Sequence, residues 1–160
     1  MNFSKIKYTG VCVPEKVVMN SELEKLVDTD DEWVRSRTGI GARHISMGEN
    51  TSDLASKAAL DIIKKGNIDP LKIDLIIVAT ATPDCISPST ACSVQAFIGA
   101  KNAVAFDINA ACSGFVFGLS VADKFIKSGV YQNAIVIGAE VISKHVDWTD
   151  RTTCVLFGDG

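Results

Sequence analysis

The sequence predicts an α/β fold in which a mostly parallel sheet is flanked by helices. Two short apolar runs, Leu75-Ile76-Ile77-Val78-Ala79 and Ala134-Ile135-Val136-Ile137-Gly138, have the length and composition of strands covered on both faces. Amphipathic helical patterns alternate with such runs along the chain. Alternation of this kind implies crossover connections, right-handed by the general rule, and so parallel strands with helices on both faces.

Taken in order, Lys5 to Val13 reads as a strand closed by Pro14. Ser21 with Glu24 forms a capping box for a short helix carrying Leu23, Leu26 and Val27; Thr29 with Glu32 opens another, stopped by Gly39. From Ser52 to Lys65, the residues Leu54, Ala55, Ala58, Ala59, Ile62 and Ile63 recur at helical spacing, with Gly66 as C-terminal cap. Beyond the strand at Leu75 come a helix near Thr90 to Ile98, a buried apolar strand from Ala103 to Ile108, and a helix from Ser113 to Lys127 ended by Gly129. Thr153 to Phe157 reads as a further strand, and Gly158-Asp159-Gly160 as a turn leading into another. The sequence is therefore expected to stop inside a supersecondary unit, as a fragment or a split gene product would.

Composition narrows the function. At 160 residues, 47% hydrophobic and 22% charged, residues 1–160 make one globular domain with no linker and no low-complexity segment. A net charge of -3 carries no basic excess, which argues against nucleic acid or an anionic membrane as the main partner. Five cysteines without a C-x-x-C pair, and only two histidines, argue against a metal site or a disulfide framework and fit a reducing, cytoplasmic setting. The N-terminus lacks a continuous apolar h-region and no stretch is long enough to span a membrane. Gly114-x-x-x-Gly118 is expected to serve close packing in a soluble core, because Asp107, Asn109, Asp123 and Lys124 flank it.

Cys112 is the residue that points to chemistry. It sits where the Ala103 to Ile108 strand gives way to an apolar helix, in the small-residue run Asn109-Ala110-Ala111-Cys112-Ser113-Gly114. At a helix N-terminus a thiol faces unpaired backbone N–H groups and the positive end of the helix dipole, which activate it as a nucleophile. Small neighbours leave room for a substrate. A free cysteine is more often a small buried hydrophobe, and it is the strand-to-helix placement that favours catalysis.

Several longer motifs then occur in a fixed order: Asp28-Thr29-Asp30-Asp31-Glu32-Trp33, Arg37-Thr38-Gly39-Ile40, Arg43-His44-Ile45, Pro88-Ser89-Thr90-Ala91-Cys92, the Cys112 turn, Asp147-Trp148-Thr149-Asp150-Arg151 and Phe157-Gly158-Asp159-Gly160. Together they resemble the N-terminal half of β-ketoacyl-acyl-carrier-protein synthase III, over the whole chain. The resemblance implies a thiolase-like fold: two similar α/β halves per subunit, helices sandwiched between two sheets, and homodimers of such subunits. It also implies acyl transfer. The Cys112 thiolate would attack an acyl-CoA, and malonyl-acyl-carrier protein would then lose carbon dioxide and take the acyl group. The Cys112 backbone N–H would help hold the oxyanion, no cofactor is needed, and the family's catalytic histidine and asparagine belong to the second half.

By the same resemblance Trp33 and Arg151 clamp the adenine of CoA, with Arg37 and Thr29 nearby, whereas on residue type alone Trp33 and Arg37 would be packing and surface residues. Ser87 and Phe157 fall at acyl-pocket positions. Many members that use short primers carry an aromatic where Ser87 stands, so the smaller side chain implies room for longer or branched primers. His44 matches a position without catalytic role, and His145 reads as a surface loop residue. Two alternatives stand beside the fatty-acid reading: a related acyltransferase of secondary metabolism, and a non-catalytic fragment that exposes the apolar face meant for its other half.

Overall fold

The structure, a computed structural model, describes residues 3–160. In chain order its elements are β1 (Val17–Met19), α1 (Asn20–Leu23), α2 (Asp31–Thr38), β2 (Ala42–His44), α3 (Thr51–Gly66), β3 (Leu75–Ala79), α4 (Thr90–Ile98), β4 (Val104–Ile108), α5 (Gly114–Ser128) and β5 (Ala134–Gly138). Single 3-10 turns lie at Pro70–Lys72, Ala111–Ser113 and Ile142–Lys144. The chain divides into two compact units, one formed by residues 3–12 and Asn50–Glu140, the other by Val13–Glu49 and Val141–Gly160.

The first unit is built on a parallel sheet of order β4-β3-β5, with Leu75 opposite Val104 and Ala134. All five residues of β3 are buried, as a central parallel strand requires. The two-residue period of the strands sorts their side chains between two cores. Ile76, Val78, Ile135 and Ile137 pack with Ala55 and Ala59 of α3 and with Ala91, Val94 and Ile98 of α4. Leu75, Ile77, Phe106, Ile108 and Val136 pack on the other face with Val121, Ala122 and Phe125 of α5. Expectation and structure agree on β3, α4 and β5, and α5 differs by one residue at each end. β4 differs in burial: instead of a buried strand it is an edge among the described residues, exposed at Val104 and half-buried from Ala105 onward.

The expected strand from Lys5 to Val13 does not form. No described strand pairs with this segment, and side chains hold it instead. Asp61 of α3 accepts the Val11 N–H at 3.1 Å, and Asp123 of α5 accepts the Ser4 hydroxyl at 2.5 Å. Gly10 lies so close to α3 that an added Cβ would fall 2.5 Å from the Ala58 carbonyl oxygen. The third helix begins at Thr51 and is closed by Asn67 in the left-handed region, not by Gly66.

The second unit contains a ribbon that the sequence pattern did not suggest, β1 antiparallel to β2, pairing Val17 with His44 and Met19 with Ala42. Its core holds Val18, Leu23, Val34, Ile45, Cys154 and Val155. Buried Arg43 donates to the Asn20 Oδ1 at 2.7 Å and to the Val155 carbonyl at 3.3 Å, and burial pushes its pKa below the usual arginine value. The expected helix caps shift. Glu22, not Glu24, accepts the Met19 N–H that opens α1, while Glu24 reaches the Asp31 N–H. Asp30, not Thr29, caps α2 by accepting the Trp33 N–H at 2.6 Å, and Gly39 closes that helix as expected. The segment from Thr153 to Phe157 is a run of turns, not a strand; Cys154 bonds back to the Asp150 carbonyl. Asp159 then bridges to Val141 and accepts from the Ser46 N–H and from the Ser143 N–H and hydroxyl. Among the described residues no helix is long and apolar enough to cross a membrane.

Candidate active site

In the first unit the chain leaves β4 at Ile108, makes the 3-10 turn Ala111–Ser113 and enters α5 at Gly114. Cys112 is exposed in the middle of that turn. Ala111 just before it has φ of 44°, the left-handed region that costs a residue with a Cβ about 1 kcal/mol. The Asn109 side chain steadies this residue by accepting its N–H at 3.3 Å. No side chain caps the start of α5, because the Ser113 hydroxyl turns back to the Ala110 carbonyl at 3.0 Å. The first N–H of α5, that of Gly114, donates to the Ala111 carbonyl and closes the turn that carries Cys112.

Two glycines press this turn against the sheet. A Cβ on Gly114 would lie 3.2 Å from the Ala79 Cβ, and one on Gly118 would lie 2.9 Å from the Val136 Cγ1. The spacing of these glycines serves close helix-to-sheet packing, as expected. Beneath the turn the C-terminal strand ends are tied together, with Thr80 N–H to the Ile108 carbonyl at 3.1 Å and Ala139 N–H to the Ala79 carbonyl at 3.2 Å. The nucleophile candidate thus stands at the carboxyl edge of a parallel sheet, the edge where open α/β folds place their ligands.

Two carboxylates at that edge were not singled out from the sequence. Glu140, two residues past β5, accepts the Ala81 N–H at 2.7 Å, the Thr80 hydroxyl at 3.2 Å and the Thr82 hydroxyl. Asp107 of β4 accepts the Thr90 and Ala91 N–H groups, both at 2.7 Å, at the start of α4. Between these anchors runs the 83–89 loop with Cys85, Ile86 and Ser87, all exposed. A lone acidic residue at the C-terminal end of each strand was the available sequence signal.

In the second unit Trp33 and Arg151 come together. The guanidinium carbon of Arg151 lies 4.5 Å from the indole centroid, a cation–π contact, while Asp28 stands 3.9 Å from the same guanidinium. The Thr29 hydroxyl is buried and has no hydrogen-bond partner. Arg37 is exposed on α2, and Phe157 is exposed near the end of the described chain. The Nδ1 of His44 lies 2.6 Å from the Pro14 carbonyl oxygen, a structural contact, and His145 is exposed beyond a 3-10 turn.

Residues 106–160, which include the Cys112 turn, match the family described as 3-oxoacyl-[acyl-carrier-protein (ACP)] synthase III. The whole chain is 62% identical to the β-ketoacyl-[acyl-carrier-protein] synthase III of Lactococcus lactis subsp. cremoris, of which it covers 49%. The chain matches the N-terminal half of a β-ketoacyl-[acyl-carrier-protein] synthase III. It spans about half the length of the relatives it matches. The crystal structure of 3-oxoacyl-[acyl-carrier-protein] synthase III from Aquifex aeolicus is similar with a TM-score of 0.92 at 54% identity, over 94% of this chain and 49% of that one. The priming β-ketosynthase of the R1128 polyketide biosynthetic pathway is similar with a TM-score of 0.90 at 33% identity, over 94% of this chain and 46% of that one. The fold is accordingly the thiolase-like α/β arrangement of this synthase family.

Proposed function

We propose that this chain contributes the nucleophile and the CoA-binding face of an enzyme that starts fatty-acid synthesis by decarboxylative Claisen condensation. The observation that carries the reading is Cys112, exposed on a strained turn ahead of the uncapped α5 in a chain 62% identical to a synthase of that name. In the first step the Cys112 sulfur adds to the thioester carbonyl of an acyl-CoA. The carbon–sulfur bond to CoA then breaks, CoA leaves as a thiolate that takes up a proton, and the acyl group stays on Cys112. Backbone N–H groups at the turn would hold the transient oxyanion. In the second step malonyl-acyl-carrier protein loses carbon dioxide, and the electron pair left on its α-carbon attacks the acyl carbonyl. The bond to Cys112 breaks and a 3-oxoacyl-acyl-carrier protein departs. The histidine and asparagine that would steady the enolate belong to the family's second half, so the isolated chain is expected to acylate weakly and not to condense.

CoA recognition falls to Trp33 and Arg151, with Arg37 a phosphate partner and Thr29 nearby. The unpartnered Thr29 hydroxyl supports this, since a bound nucleotide would give it an acceptor or donor. Ser87 and Phe157 would line the acyl pocket, and the small Ser87 favours primers longer or more branched than acetyl. We assign the working enzyme to the cytoplasm, as a homodimer without cofactor. A related acyltransferase of secondary metabolism remains the second reading, which the similarity to the R1128 enzyme supports at 33% identity. Which acceptor the full enzyme uses separates the two.

The deciding experiment is intact-protein mass spectrometry after incubation with acetyl-, isobutyryl- and hexanoyl-CoA. One acyl mass added to the wild-type chain and absent from Cys112→Ser is the expected result, with the branched and longer primers favoured. An adduct that survives Cys112→Ser would refute the nucleophile, and strict preference for acetyl would refute the pocket.

A further inference from the structure

The end of β3 is fastened by one side chain from just beyond the end of β5. Glu140 follows β5 and reaches the peptide N–H of Ala81 and the hydroxyls of Thr80 and Thr82. Thr80 is buried, and the Thr82 carbonyl in turn accepts the hydroxyl of buried Thr51 at the start of α3, at 2.6 Å. One residue before this knot lies Ala79, whose Cβ is the surface on which Gly114 sits, and Thr80 itself bonds the Ile108 carbonyl at the end of β4. On the β5 side, Gly138 lies against the Phe115 ring, where a Cβ would be 3.5 Å away. The two ends on which the Cys112 turn rests are thus joined to each other through the carboxylate of Glu140.

We propose that Glu140 is a positioning residue for Cys112: by binding Thr80, Ala81 and Thr82 it fixes the strand ends under the cysteine turn and so holds the thiol in its reactive orientation. Its importance for the reaction rests on Cys112 being the nucleophile, but the geometry is tested without any acyl transfer. A glutamine at this position keeps the anchor, because its carbonyl oxygen can accept the Ala81 N–H while its amide donates to the hydroxyls, which accept as readily as they donate. Alanine removes all three contacts. Both substitutions remove the same charge, so a difference between them reads the three contacts.

The experiment is the pH–rate profile of Cys112 alkylation by iodoacetamide in the whole chain, resolved by peptide mass and normalised to N-acetylcysteine in the same tube. Glu140→Ala is expected to slow Cys112 by about tenfold across the profile, and Glu140→Gln to restore the rate to within about threefold of wild type. An unchanged or faster rate in Glu140→Ala overturns the proposal, as does a Glu140→Gln rate as slow as that of alanine. Should Glu140→Ala fail to fold, Thr82→Val removes the outermost hydroxyl alone; slowing there, about twofold to threefold, supports the anchor, and a wild-type rate overturns it. Failure of acyl transfer with alkylation behaving as expected would count against the proposed function and leave this inference standing.

Discussion

Arg151 rests on the face of Trp33 with 4.5 Å between guanidinium carbon and ring centroid. An adenine stacked between them would need about 7 Å, two contact distances of about 3.5 Å. CoA binding as proposed therefore requires Arg151 to swing off the indole and close again on the far side of the base. The contact that must be broken is a partly exposed cation–π pair of about 0.5–1 kcal/mol, small beside the two stacking faces gained. Arg151→Ala is expected to weaken acyl-CoA binding by about threefold to thirtyfold in titration calorimetry, with Arg151→Lys intermediate because it keeps charge but not the flat face. An unaltered Kd in the alanine variant would remove Arg151 from the site. Among single residues, the place of Cys112 on an exposed strand-to-helix turn was legible in the sequence because it depends on local signals alone. Glu140 and Asp107 were not, because each acts on a backbone 16 to 59 residues away that only the sheet brings near.

At the scale of elements, α4 begins where two of its first N–H groups meet Asp107 of β4, so helix and strand share one carboxylate. Asp107→Ala leaves the N–H groups of buried Thr90 and Ala91 without that acceptor, and is expected to lower the unfolding free energy by about 2 kcal/mol in urea titration. The N-terminal segment depends on carboxylates in the same way. The Lys65 hydrogen bond, helped by the Val11 N–H, holds the Asp61 pKa below the usual aspartate value, and the Ser4 hydroxyl, helped by Lys127, does the same for Asp123. Since both values are depressed in the fold, their stabilisation is complete above the usual aspartate pKa and fades as pH falls through the lower folded value. The Val11 amide chemical shift is therefore expected to titrate below the ordinary aspartate range; a midpoint within that range would contradict the anchoring. Element type was readable wherever a local signal sufficed, as at β3, α4 and β5. It failed at Lys5 to Val13 and Thr153 to Phe157, because an apolar or alternating run becomes a strand only beside a partner, and no described strand lies beside either segment. The caps moved by one or two residues because neighbouring acidic side chains compete for the same donors.

On the scale of the whole molecule, large apolar side chains lie in water: Phe3 at 75% exposure, Ile6 at 71% and Val116 at 62%, with Phe97, Phe115 and Phe117 also exposed. Surface of this kind favours burial against another polypeptide. The chain alone is expected to associate in a concentration-dependent way by light scattering, and a monodisperse monomer at high concentration would speak against it. The 83–89 loop has a consequence of another sort. Glu140 fastens the backbone just before it and Asp107 the backbone just after it, and both anchors lie outside the loop's own sequence. Its side chains can therefore change from one lineage to the next without moving the seat of the thiol. If Ser87 borders the acyl pocket as proposed, substitutions in that loop would alter the primer admitted while the strand ends beneath it stay in place.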